Sequence, residues 1–132
     1  MKVFLNTNVL ASALTTRGLC AELFEVVLLS HELLTSESVL SELQRILPRK
    51  LGQSEEVTKG FIDLLQAHAI VITGEHLYPA LPDPDDESIV AAAVAGNATV
   101  FVTGDKALLE LQSVEQPTIV SPRKFWEILA GR

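Results

Sequence analysis

Cysteine is almost absent from this sequence. Cys20 stands alone, so no internal disulfide and no thiolate metal cluster can form, and its apolar neighbours favour a plain buried residue over a nucleophile. Apolar runs long enough to cross a bilayer are missing as well, each being short and interrupted by charge. The first residues read as a strand, without the basic start and cleavage site of a signal peptide, which points to a cytoplasmic protein with no membrane association. There is no glycine-rich phosphate loop, no nucleophile beside a base, and His31, His68 and His76 are isolated. Cations are the minority, 10 Lys and Arg against 17 Asp and Glu, for a net charge of -7. That balance argues against a large basic surface for nucleic acid. It does not exclude acids gathered on one metal site, where bound cations would neutralise them. Acidity also suits a basic protein partner.

What is present is a chain of 132 residues, 48% of them hydrophobic, enough for one domain with a proper core and against disorder. Val3-Phe4-Leu5 reads as a buried strand ending at Asn6, and Val9, Leu10, Ala13 and Leu14 resume at helical spacing. Leu19 to Leu28 form a second helix packed close to the first, and Leu33-Leu34-Thr35 a short second strand. A helix with an N-cap signal at Ser36 carries Val39, Leu43, Ile46 and Leu47 on one face and is expected to end at Pro48. Another, capped at Ser54, runs to about His68, with Gly60 weakening its middle, and Ala69 to Thr73 form a β-branched third strand. The longest loop spans Gly74 to Pro84, where Pro82 and Pro84 hold the chain out of helix until Asp85-Asp86 opens one that stops at Gly96-Asn97. A strand over Thr99–Thr103, a helix from Lys106 to Gln112, a strand over Thr118–Val120 and a helix capped by Ser121-Pro122 complete the chain. Strands alternating with helices, without hairpin turns, predict an α/β fold, three layers α/β/α around a central parallel sheet.

Polar residues fall where open α/β sheets place active sites, at strand ends with a helix behind them: Asn6 after the first strand, and Asp105 after Thr103-Gly104. The amides of such a helix start favour anions. Asp86 lies in line with Ile89, Val90 and Ala93 on the inward side of its helix, and Glu42 sits between Val39 and Ile46 at the edge of an apolar face. Acids at inward positions are costly unless paired or bound to a metal. Oxygen ligands without His or Cys select Mg²⁺ or Mn²⁺, ions that serve phosphoryl chemistry. The residues alone therefore read as a metal-dependent phosphodiesterase.

Each has a bland alternative. Asp86 also suits a helix start by its charge, Glu42 a solvated helix flank, and Asn6 and Asp105 the capping of the helices behind them. Asp83, Asp85 and Glu87 read as loop and first-turn charges. Arg45, Arg49 and Lys50, beside Pro48, are either ordinary surface or holders of an RNA backbone. The weight lies in the set, since independent caps need not fall four times at one edge of a sheet.

The residues resemble a family. Asn6-Thr7-Asn8, Glu42 in Ser38-Val39-Leu40-Ser41-Glu42-Leu43, Asp86 in Pro82-Asp83-Pro84-Asp85-Asp86-Glu87-Ser88, and Asp105 in Val102-Thr103-Gly104-Asp105-Lys106 look like the ordered motifs of PIN domains. The similarity spans essentially the whole chain and is greatest to small prokaryotic single-domain members, the toxins of VapC-type toxin-antitoxin pairs. It implies a Mg²⁺- or Mn²⁺-dependent endoribonuclease with Glu42, Asp86 and Asp105 as metal ligands and Asn6 at the position of a fourth. Thr7, Asn8 and Thr103 would support the site by hydrogen bonds, and a metal-activated water would attack the phosphodiester. It also implies a homodimer, and a small antitoxin competing with the RNA substrate for one groove.

The chain departs from the family pattern at two positions. Asn6 stands where members usually carry Asp, and Ala107 where a further Asp is frequent. An amide oxygen still coordinates a hard cation but removes a negative charge. This describes either a natural, weakened or inactive member, or a toxic nuclease altered to be tolerable to its host. Two functional classes follow: a ribonuclease, and a non-catalytic PIN-fold module that binds RNA or protein. A phosphoryl-accepting receiver domain requires an acidic pair after the first strand and an acceptor Asp after a middle one, and both are missing.

Overall fold

The computed structural model describes residues 1–74, 84–111 and 116–131. Strand β1 (Lys2–Leu5) is followed by helices α1 (Thr7–Thr15) and α2 (Leu19–Ser30), then β2 (Glu32–Ser36), α3 (Glu37–Arg49), α4 (Glu55–His68) and β3 (Ile70–Ile72). After the expected Gly74–Pro84 loop, most of which lies outside the described residues, come α5 (Pro84–Ala95), β4 (Val100–Val102), α6 (Lys106–Leu109), β5 (Thr118–Val120) and α7 (Pro122–Leu129). The five strands form one sheet in the order β3-β2-β1-β4-β5. Every pairing is parallel, as the alternation of strand and helix predicts.

Val3, Phe4 and Leu5 alternate between the two faces of the sheet, yet all are fully buried, so both faces are covered. Phe4 and Phe101 stack across the β1–β4 pair with centroids 5.3 Å apart. Helix α5 buries the consecutive run Ile89 to Ala93, as a helix does when it is covered on most of its sides. It stops where expected, since Asn97 takes the left-handed conformation with φ 57°. Gly96 lets it pass close to β3: a Cβ there would meet Ile72 Cδ1 at 2.8 Å.

Several boundaries differ from expectation by a residue or two at strand and helix ends, and three helices show a physical reason or a larger shift. Helix α3 continues through Pro48 to Arg49. Proline lacks an N–H but holds a helical φ, so it frees the Gln44 carbonyl without ending the turn, and Lys50 N–H closes the helix on Ile46 O at 2.9 Å. Helix α5 begins at Pro84 itself, because the first helical N–H has no partner to lose. Helix α6 is shorter than expected, ending at Leu109, while Gln112 lies outside the described residues.

Candidate active site

The sheet's topology fixes where a ligand site belongs. From β1 the chain winds outward through β2 and β3, then returns to the other side of β1 for β4 and β5. The winding direction reverses between β1 and β4, and open α/β sheets bind ligands at the carboxyl ends of strands at such a point. Leu5 pairs with Val102 there. The next residues along each strand are Asn6 and Thr103.

Asn6 is 5% exposed and Thr103 fully buried. The Asn6 amide oxygen accepts the Thr7 N–H at 2.8 Å, and its NH₂ donates to Thr103 Oγ1 at 2.9 Å. Thr103 Oγ1 also accepts from Asn8 Nδ2 at 3.3 Å and from the Asp105 N–H at 3.1 Å. A hydroxyl has two lone pairs and one proton. Here three donors converge on it, and among the described residues no acceptor takes its own proton. With a carboxylate at position 6 the count would close: Asn8 and Asp105 donate to the two lone pairs, and the Thr103 hydroxyl donates to residue 6.

On the β4 side, Asp105 caps α6 by accepting the Ala107 N–H at 2.9 Å, and Asn8 Oδ1 accepts the Gly104 N–H at 3.1 Å. Asn8 and Asp105 line one open groove together with Ser12 and Cys20. On the β2 side, Ser36 caps α3 through the Val39 N–H at 3.2 Å, and Ser38 Oγ meets Ser88 Oγ at 3.0 Å, tying α3 to the first turns of α5. Glu42 lies one turn beyond Ser38, half-buried, and Asp86 two residues before Ser88. Among the described residues Glu42 makes no hydrogen bond or ion pair. It lines a second cavity of about 200 Å³ with Ser38, Ser41, Arg45, Ser88 and Ile89.

Hydrogen bonds thus bring together Asn6, Asn8, Thr103 and Asp105, while Glu42 and Asp86 belong to the α3–α5 flank. The capping alternatives for Asn6 and Asp105 are realised, and both residues also face the switch point. The Thr7 backbone N–H binds the Asn6 amide oxygen, while the buried Thr7 hydroxyl has no partner among the described residues. Sequence reasoning missed the Ser38–Ser88 tie. Its signal was present as small hydroxyls close in sequence to Glu42 and Asp86.

The donor set, one amide oxygen and three carboxylates, fits a hard divalent cation by chemistry. As the described side chains stand, no three acidic, His or Cys groups converge closely enough to hold an ion. Among the described residues no helix is long and apolar enough to cross a membrane.

A family model described as PIN domain matches residues 2–107. No curated protein matches the chain. Among solved structures, VapBC2 from Rickettsia felis, bound to a DNA fragment from its promoter, superposes with a TM-score of 0.65 at 17% identity over 91% of this chain and 97% of that one. VapBC-1 from nontypeable Haemophilus influenzae gives 0.56 at 23% identity over 85% and 96%. A domain of a functionally unknown protein from Methanocaldococcus jannaschii gives 0.53 at 19% identity over 87% and 94%. At these identities the structures are alike in fold.

Proposed function

Because this chain belongs to the PIN domain family, we propose that it is a metal-dependent endoribonuclease, the toxin of a VapC-type toxin-antitoxin pair, weakened or silenced by Asn6. The observation that carries this reading is the Thr103 hydroxyl, which receives one donor too many with Asn6 and would be satisfied with a carboxylate in its place. Position 6 thus suits an acceptor at the point where the winding of the sheet reverses. Asn6, Glu42, Asp86 and Asp105 would hold Mg²⁺ or Mn²⁺. When bound, such an ion supplies activation of water and stabilisation of charge at phosphorus.

The chain's own residues do the rest. Thr103, Asn8 and the Thr7 amide orient position 6, and Ser36 and Ser38 fix the start of the helix that carries Glu42. RNA is the substrate, and a small antitoxin covers the same groove; the VapBC proteins that share the fold support the antitoxin partner. A homodimer in the cytoplasm, built of one PIN domain per chain, completes the proposal.

One observation favours a second reading, a non-catalytic PIN-fold module that binds RNA or protein. Both ends of the Asn6 amide are occupied by protein groups, so the hub is held together without an ion.

Cleavage of a mixed set of single-stranded and transfer RNAs, with and without Mn²⁺, separates the two. The comparison is between this chain, Asn6→Asp, and Asn6→Asp combined with Asp86→Ala. Cutting by Asn6→Asp alone, lost with Asp86→Ala, supports a site silenced at position 6. No cutting and no Mn²⁺ binding by any of the three leaves the groove as a binding surface.

A further inference from the structure

We propose that Arg45 and Arg49 form a track along the exposed side of α3 that holds the backbone of a single RNA strand leading away from Glu42. The proposal rests on the ribonuclease reading and names its substrate-binding surface. In a chain with ten cations against seventeen acids, Arg45, Arg49 and Lys50 are three cations within six residues, and all are exposed. A helix C-terminus attracts positive charge, which accounts for Arg49 or Lys50 taken alone. It does not account for Arg45, which sits a full turn earlier and lines the cavity that contains Glu42.

Spacing makes the track. Glu42, Arg45 and Arg49 are separated by three and four residues, so they stand in one row on the helix. At about 1.5 Å rise per residue, Arg45 lies ~4.5 Å and Arg49 ~10.5 Å beyond Glu42 along the axis. Ser41 and Arg45 line both the Glu42 cavity and a second groove of about 500 Å³ that continues to Arg49. The two depressions are therefore neighbours that share side chains, with Glu55 the one acid on the lining of the outer one. Neither arginine is in an ion pair among the described residues, so each guanidinium keeps its donors for a ligand. Planar guanidinium groups match phosphate oxygens two at a time. Ser38, Ser41 and Ser88 offer hydroxyls for sugar and phosphate beside Glu42. A groove running along one helix follows one strand.

The test is fluorescence anisotropy of a short labelled polyuridine strand, titrated with the full chain at several salt concentrations without divalent cation. The variants are Arg45→Ala, Arg49→Ala and the double variant, with Arg17→Ala, between α1 and α2, as control. Thermal midpoints of all variants should match the parent. Each arginine variant is expected to weaken binding several-fold and to reduce the salt slope by about 0.7, the contribution of one phosphate contact on a single strand. The control should change neither. Binding by the parent that is indifferent to both arginines overturns the track while leaving the ribonuclease reading intact. Absence of RNA binding by every chain overturns both. Two other outcomes also overturn it: an acidic peptide whose binding needs the arginines while RNA binding does not, or arginine variants that change the sedimentation of the chain and so mark a contact between copies.

Discussion

On the β4 side of Asn6 the polar groups are engaged with one another: Asn8, Thr103, Gly104 and Asp105 share a hydrogen-bonded hub that also starts α6. On the β2 side, Glu42 has no hydrogen bond or ion pair among the described residues and faces a groove of serine hydroxyls and one guanidinium. The hub is held by three neutral donors around one buried oxygen, so it fixes geometry. The serine-lined flank leaves the Glu42 carboxylate without a protein partner among the described residues, in a partly solvated groove, so it is the side that gains from a ligand. A buried polar atom must find its partners within the fold, whereas a half-exposed carboxylate can wait for them in water.

Substitutions on the two flanks should therefore behave oppositely in metal-free buffer. The largest effect is expected for Thr103→Val, which keeps the shape but strips the Asn6, Asn8 and Asp105 donors of their common acceptor. At roughly 1–3 kcal/mol for each donor left buried and unsatisfied, and with Asn8 and Asp105 able to turn partly to water, a loss of about 3 kcal/mol is expected in urea unfolding. A loss below about 1 kcal/mol would show the hub to be incidental and erase the contrast.

Ser36→Ala probes the scaffold of the other flank. It removes the cap of α3 on the Val39 N–H and should cost about 1 kcal/mol, read from the same unfolding curves. The smallest effect is expected for Glu42→Gln, within about 0.5 kcal/mol of the parent, because no protein partner is lost. A loss of more than about 1.5 kcal/mol would reveal a structural partner for Glu42 and make the two flanks alike.

Much of this architecture is legible in the sequence. Alternating strand and helix signals without hairpin turns leave a parallel sheet as the arrangement that buries Val3-Phe4-Leu5 and Val100-Phe101-Val102 together. Ser36, Ser54 and Ser121 announce the helices they cap, and Asn97 announces the end of α5. Where proline is concerned the sequence misleads by a residue or so, because its fixed φ is helical and only its missing N–H breaks the ladder; Pro48 and Pro84 both sit inside helices.

Asn6, Asp105, Glu42 and Asp86 are visible as candidates because polar residues at strand ends and on inward helix faces need a reason. What each of them does is a different matter. Local chemistry is written in the order of residues, so the sequence by itself determined strands, helices, caps and the shortage of basic surface. Partnership across the chain was decided by tertiary structure alone. Thr103 lies ninety-seven residues from Asn6 and Ser88 fifty from Ser38, and only the strand order that seats β4 beside β1 brings Thr103 within hydrogen-bonding distance of Asn6. Whether a buried oxygen has one donor too many depends on which groups the sheet's winding places around it, and no spacing along the chain records that.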